Sequence, residues 1–158
     1  MSVFLILYNI RSAENVGAIF RTADAVGINK IYLVGYTPAP KDRFGRLRQD
    51  IAKAALGAEK TVSWEQVNEP QLSNLVAKLK AEGVEVVALE QSEDSLDYKE
   101  YKPKTDFALV MGNEVGGVPV EVLNQCDKVI EIPMRGSKES LNVSVAVGVA
   151  LYRLLDRD

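Results

Sequence analysis

Three segments concentrate the polar groups that could do chemistry, and each lies where a strand gives way to a loop or a helix begins. The first runs Asn9-Ile-Arg-Ser-Ala-Glu-Asn-Val-Gly-Ala-Ile-Phe-Arg21, the second Gly112-Asn-Glu-Val-Gly-Gly117, and the third from Pro133 to Asn142. In the third, Ser140 and Asn142 fall at the start of a helix expected from about Leu141 onward. The first turn of a helix has N–H groups without intrahelical partners. These side chains can therefore cap it, and the same donors and dipole can hold an anionic or polar ligand. Taken singly, the other groups have plain structural uses: Asn15 as a helix N-cap, Arg21 as a solvated helix cation, and the stretch Gly112 to Gly117 as a turn. That stretch lacks the Lys-Ser/Thr of a phosphate loop and the full spacing of a dinucleotide fingerprint. The chain has no histidine, which removes the commonest general base, every Ser-His or Cys-His nucleophile pair and a conventional Cys/His metal site. Its one cysteine, Cys126, cannot form an internal disulfide.

The elements that must position these groups alternate strand and helix. Val3 to Ile10 is an apolar run of strand type, and Val16 to Val26 places Val16, Ile19, Phe20, Ala23 and Val26 on one helical face, with Gly27 as its stop. Lys30 to Val34 reads as a strand, followed by a loop to about Arg48, a short helix from Asp50 to Leu56 and a possible strand from Thr61 to Trp64. A helix from Pro70 to Glu82, strands from Val84 to Leu89 and Phe107 to Met111, a helix from Pro119 to Gln125 and a last strand from Lys128 to Ile132 complete the order. The expected fold is α/β: one domain over residues 1–158, with a mostly parallel sheet and helices on both faces. Ligands in such sheets bind beyond the carboxyl ends of strands, where all three polar segments fall. Beyond Asn142 only Ser144, Gly148 and Arg153 interrupt the apolar residues of the last helix. A helix apolar on nearly all sides is buried on nearly all sides, which suggests one face on its own sheet and another on a second subunit.

Composition sets bounds on the partners. With 47% hydrophobic and 26% charged residues the 158-residue chain can bury an ordinary core. No stretch approaches the roughly 20 apolar residues of a membrane span. Met1 to Tyr8 has no basic flank and no cleavage site, so it reads as a strand and not a signal, and the expected location is the cytoplasm. The net charge of −3, from 19 basic and 22 acidic residues, is not that of a protein that coats nucleic acid indiscriminately. Charge is uneven, however: Lys41, Arg43, Arg46 and Arg48 fall together, while Glu90, Glu93, Asp94, Asp97 and Glu100 make an acidic middle.

Three stretches in order, Asn15-Val-Gly-Ala-Ile-Phe-Arg-Thr-Ala-Asp-Ala-Val-Gly27, Leu109-Val-Met-Gly-Asn-Glu-Val-Gly-Gly117 and Ile132-Pro-Met through Ser140-Leu-Asn-Val-Ser144, resemble the three motifs of the SpoU/TrmH group of SPOUT RNA methyltransferases. Lys53-Ala-Ala-Leu-Gly-Ala-Glu59 resembles the group's pattern between the first two, so the likeness covers essentially the whole chain. The resemblance implies a 2′-O-methyltransferase of structured RNA that uses S-adenosylmethionine. It also implies a deep C-terminal trefoil knot, contrary to the general rule that chains are unknotted, and a homodimer whose active site takes residues from both subunits. Family roles fall on Asn15, Arg21, Glu114, Ser140 and Asn142, and cofactor contacts on Leu89, Met111, Gly112, Asn113, Ile132, Pro133, Met134, Ser140 and Leu141.

The group's usual assignment of proton removal to Arg21 conflicts with a guanidinium that stays protonated. Arg21 is therefore expected to pair with a substrate phosphate and stabilise negative charge developing on the 2′-oxygen, with the final proton acceptor open. Glu114 is expected to hold Arg21 or a partner-subunit residue in place. RNA is held mostly through phosphates, so Arg11, Lys41, Arg43, Arg46 and Arg48 are the expected RNA contacts. A first strand beginning at about Val3 resembles the minimal members of the group, which favours transfer RNA over ribosomal RNA. Two rivals are a knotted RNA-binding homodimer without turnover and a SPOUT base methyltransferase; intact Arg21, Glu114, Ser140 and Asn142 disfavour the first. The Asn15/Arg21 pair and Ser140-Leu-Asn-Val-Ser144 disfavour the second.

Overall fold

The computed structural model describes residues 1–156. Seven strands are formed by β1 (Val3–Tyr8), β2 (Lys30–Val34), β3 (Ser63–Val67), β4 (Glu85–Leu89), β5 (Leu96–Asp97), β6 (Phe107–Met111) and β7 (Lys128–Glu131). They make one sheet in the order β3-β2-β1-β6-β4-β7-β5, and every pairing between them is parallel. The helices are α1 (Ala13–Val26), α2 (Gln49–Ala55), α3 (Ala58–Thr61), α4 (Leu72–Ala81), α5 (Val120–Gln125) and α6 (Val143–Leu154). Among the described residues no helix is long and apolar enough to cross a membrane.

The two-residue period of the strands divides the core between the faces. Leu5, Leu7, Ile31, Leu33, Phe107 and Leu109 face α1, α2, α3 and α6, meeting Ile19, Phe20, Ile51 and Leu151. Their neighbours Ile6, Val34, Val86, Ala108 and Val110 face the other way, onto Leu75, Val76 and Leu79 of α4 and Val122 of α5. Both faces are covered, which is why β1 and β6 read as continuous apolar runs.

Several expected boundaries shift, each for a local reason. The first helix begins at Ala13, three residues before Val16, because Ser12 caps it by accepting from Asn15 N at 3.1 Å. Asn15 is therefore inside the helix and not its cap. The third strand lies at Ser63–Val67, later than Thr61 to Trp64, since Thr61 closes the short helix α3. Pro70 sits in a 3₁₀ turn, Glu69–Gln71, that leads into α4. The last helix starts at Val143: Asn142 is its N-cap, accepting from Ser144 N at 2.9 Å, and Ser140 lies outside it. The segment between β7 and α6 crosses the carboxyl edge of the sheet to bring α6 against α1, touching the loop after β4 where Gln91 Nε2 donates to Glu139 O at 2.8 Å.

Candidate active site

At the carboxyl edge of the sheet the loops are tied together before any cleft is considered. Asn9 ends β1 in the left-handed region, at φ 49°, a conformation that Asn tolerates better than most residues. Its N–H donates to Val34 O at 3.1 Å, its side-chain oxygen accepts from Tyr36 N at 2.9 Å, and its carbonyl accepts from Asn113 Nδ2 at 2.7 Å. The loops after β1, β2 and β6 thus meet at one buried residue. Thr37 adds a second tie, its hydroxyl accepting from Ile10 N at 3.0 Å and donating toward Leu7 O and Val34 O.

The loop after β6 is a tight reversal. Asn113 Oδ1 accepts from Val115 N and Gly116 N at 2.9 and 3.0 Å, and Gly117 N returns to Asn113 O at 2.9 Å. Gly112 is obligatory there, because a Cβ would lie 2.4 Å from Gly117 C and Val118 N. Val118 N in turn donates to Glu90 Oε2 at 2.9 Å, which binds this loop to the one after β4.

Between these loops and the start of α6 lies a cleft of about 410 Å³, within the size range of small-ligand sites. Asn15, Glu114, Ser140 and Asn142 all line it. So do Leu89, Met111, Gly112, Asn113, Ile132, Met134 and Leu141, whereas Pro133 does not. Arg21 also stays outside: it is exposed on α1 and has no hydrogen-bond or ion-pair partner among the described residues. Glu114 accepts only a long hydrogen bond, 3.5 Å, from Arg11 N, and forms no ion pair with Arg21 within the chain. The six-residue spacing explains the split, since at about 100° per residue Arg21 points well away from Asn15.

The lining also contains Glu90, Gln91 and Glu131, which motif reasoning passed over. Glu131 Oε1 accepts from Ser95 Oγ at 2.8 Å, so both of these carboxylates are held by hydrogen bonds. Their signal was positional: Glu90 directly follows β4, and Glu131 is the last residue of β7, the strand paired with it. The apolar walls come from Leu89, Met111, Ile132, Met134 and Leu141, and the opposite rim from the first turn of α6. Such a cleft suits a ligand with a flat apolar ring and cationic groups.

Residues 2–152 match the profile of the SpoU rRNA Methylase family. The chain belongs to that family. Among relatives, it is 38% identical to the tRNA (guanosine(18)-2'-O)-methyltransferase of Aquifex aeolicus, over 91% of this chain and 64% of that protein. Among solved structures it resembles the AdoMet-bound rRNA methyltransferase from Sinorhizobium meliloti, with a TM-score of 0.86, 30% identity and coverage of 97% of this chain and 55% of that one. It also resembles a structure described as giving insights into the 2-OH methylation of C/U34 on tRNA, with a TM-score of 0.75, 29% identity and coverage of 97% and 93%. The chain spans about 56–64% of the length of curated relatives such as the first. The α/β sheet of this SpoU family member is the one these structures share.

The cationic segment after β2 forms a separate feature. Lys41 and Leu47 pair across an antiparallel bridge, and the turn between them carries Arg43, Phe44 and Arg46. Arg46 Nε pairs with Asp42 at 3.0 Å and Arg48 Nη2 with Asp50 at 2.9 Å. Lys41 and Arg43 have no acidic partner among the described residues. Backbone N–H donation from Arg46, above all, holds the Asp42 carboxyl below the usual aspartate range.

Proposed function

We propose that the chain is an S-adenosylmethionine-dependent RNA 2′-O-ribose methyltransferase that acts on transfer RNA in the cytoplasm as a homodimer of knotted single-domain subunits. The observation that carries this reading is the convergence of Asn15, Glu114, Ser140 and Asn142 with the expected cofactor residues other than Pro133 in one cleft of a SpoU family protein. The fit to the cofactor rests on the lining: apolar walls for the adenine, and Glu90 and Glu131 for the ammonium and sulfonium charges. S-adenosylmethionine would supply a methyl group on a sulfonium leaving group. The chain's own task is alignment of the ribose hydroxyl, which accounts for the bulk of catalysis in a displacement of this kind. Transfer RNA is favoured by the tRNA enzyme of A. aeolicus and by the likeness to a tRNA-methylation structure of similar length.

Arg21, exposed and outside the cleft of its own chain, acts on the cleft of a second subunit, where it pairs with a substrate phosphate and stabilises charge on the 2′-oxygen. The exposed apolar face of α6, which packs beside α1, supports such an assembly. The knot is assigned to the segment that passes the loop after β4.

The test is to incubate the purified protein with methyl-labelled S-adenosylmethionine and separate pools of transfer and ribosomal RNA from a methylation-deficient host, then digest to nucleosides. Label in a 2′-O-methylnucleoside of transfer RNA is expected; label on a base would overturn the ribose assignment. Arg21→Ala and Asn142→Ala are each expected to be inactive alone and to regain activity when unfolded and refolded together, because mixed dimers carry one intact composite site. No recovery would mean that each site takes its Arg21 and its Asn142 from the same subunit.

A further inference from the structure

The turn after β2 holds an aromatic ring out in water by design of its hydrogen bonds. Asp42 Oδ1 accepts from Phe44 N at 2.8 Å and Arg46 N at 3.0 Å, Gly45 N returns to Asp42 O at 2.9 Å, and Asp42 N donates to Arg46 O at 2.9 Å. Phe44 at the tip is 68% exposed, the most exposed aromatic side chain of the described residues. The guanidinium carbons of Arg43 and Arg46 stand 4.9 and 5.0 Å from its ring centre. A second exposed aromatic residue, Tyr36, shares a groove of about 420 Å³ with this turn. Its hydroxyl accepts from Asn113 Nδ2 at 2.6 Å, which links the groove to the cofactor loop.

An aromatic face among cations, set on a rigid turn, is the arrangement that binds unpaired nucleotides: the ring stacks on a base and the cations meet the phosphates. Bases inside a duplex have both faces occupied and offer only phosphates and groove edges. We propose that Phe44 is a stacking platform for an unpaired base of the bound RNA. This deepens the RNA reading given above and rests on it. Arg43, which has no acidic partner, supplies a phosphate contact beside the stacked base.

The probes are an RNA hairpin with an open loop and an RNA duplex of equal length, with binding measured over a salt series and methyl transfer assayed on the same transfer RNA pool. Phe44→Ala is expected to weaken hairpin binding about tenfold with an unchanged salt slope, to leave duplex binding unchanged, and to be rescued by Phe44→Trp. Arg43→Ala should flatten the salt slope by about one unit. Because Phe44 is exposed, an unchanged circular dichroism spectrum and cofactor affinity are expected for all three variants. Equal hairpin affinity of Phe44→Ala and the natural protein, equal losses on hairpin and duplex, no rescue by tryptophan, or no hairpin binding at all would each overturn the platform. If methyl transfer proceeds in those cases, the methyltransferase reading stands without it. Conversely, Phe44-dependent hairpin binding with no methyl transfer would retain the platform and overturn the enzymatic reading.

Discussion

Asn142 carries two separable duties. Its Oδ1 accepts from both Ser144 N and Ser144 Oγ, at 2.9 and 2.7 Å, and so starts α6. Its Nδ2 has no partner among the described residues, and Asn142 is part of the cleft lining. Asn142→Asp keeps the acceptor and adds a negative charge where a helix start favours one, so its melting temperature should equal or exceed that of the natural protein. Asn142→Ala should lose about 1 kcal/mol. If Nδ2 positions the substrate, Asn142→Asp will fold normally and lose methyl transfer; full activity of a normally folded Asn142→Asp would remove the donor from the mechanism. Asn142 and Ser140 are legible because they sit at a helix start, whose side chains are directed by local geometry, whereas Glu114 is singled out only by the family resemblance of its motif. Sequence reading could not place Arg21, whose use depends on the azimuth of a whole helix, nor assign Ser12 as the α1 cap in preference to Asn15. Glu90 is one carboxylate of an acidic middle and Glu131 lies in the last strand, and only the pairing of β4 with β7 makes them neighbours.

At the scale of elements, α1 and α2 approach unusually closely, and Gly17 is the reason. A Cβ there would lie 2.6 Å from both Ala54 Cβ and Ile51 O. Gly17→Ala gains up to about 1 kcal/mol of helix propensity, yet the contact includes a backbone carbonyl that cannot rotate away, so overpacking wins. Net destabilisation of about 1–2 kcal/mol is expected in denaturant titrations, and a stabilised variant would show that the two helices separate freely. Elements buried on both sides are legible as runs: Lys30–Val34 and Phe107–Met111 appear at their expected bounds, and β1 nearly so. The edge strand β3, Ser-Trp-Glu-Gln-Val, is mostly polar and was displaced in the reading, because an edge strand is fixed by its neighbour's register and not by its own pattern. The two-residue strand β5 has no periodicity to detect and exists through its pairing with β7.

For the molecule as a whole, the all-round apolarity of α6 predicted two buried faces, and the single chain covers one. Val147, Ala150, Leu151 and Leu154 are inside, while Val145, Val149 and Tyr152 stand 51%, 37% and 60% exposed along one stripe. With a second copy on that stripe, Val145→Glu should convert a dimer to a monomer in sedimentation at the same concentration and, on the proposed composite site, abolish methyl transfer by removing Arg21 from the partner's cleft. A dimeric Val145→Glu would move the interface elsewhere. The order of the sheet has a consequence of another kind, for the chain as it is made. Its central pair joins β1 to β6, and the bond from Ser2 N to Asp106 Oδ1 closes a separation of 104 residues. Strands β1 to β3 can pair as they emerge, but β4 has no partner among them and waits for β6 and β7. At roughly 5–20 residues per second the first strand exists for several seconds or more before its inner neighbour leaves the ribosome. During that interval the edge of β1 that becomes the middle of the sheet is open, and its Phe-Leu-Ile-Leu run is the segment that nascent-chain chaperones would have most reason to hold.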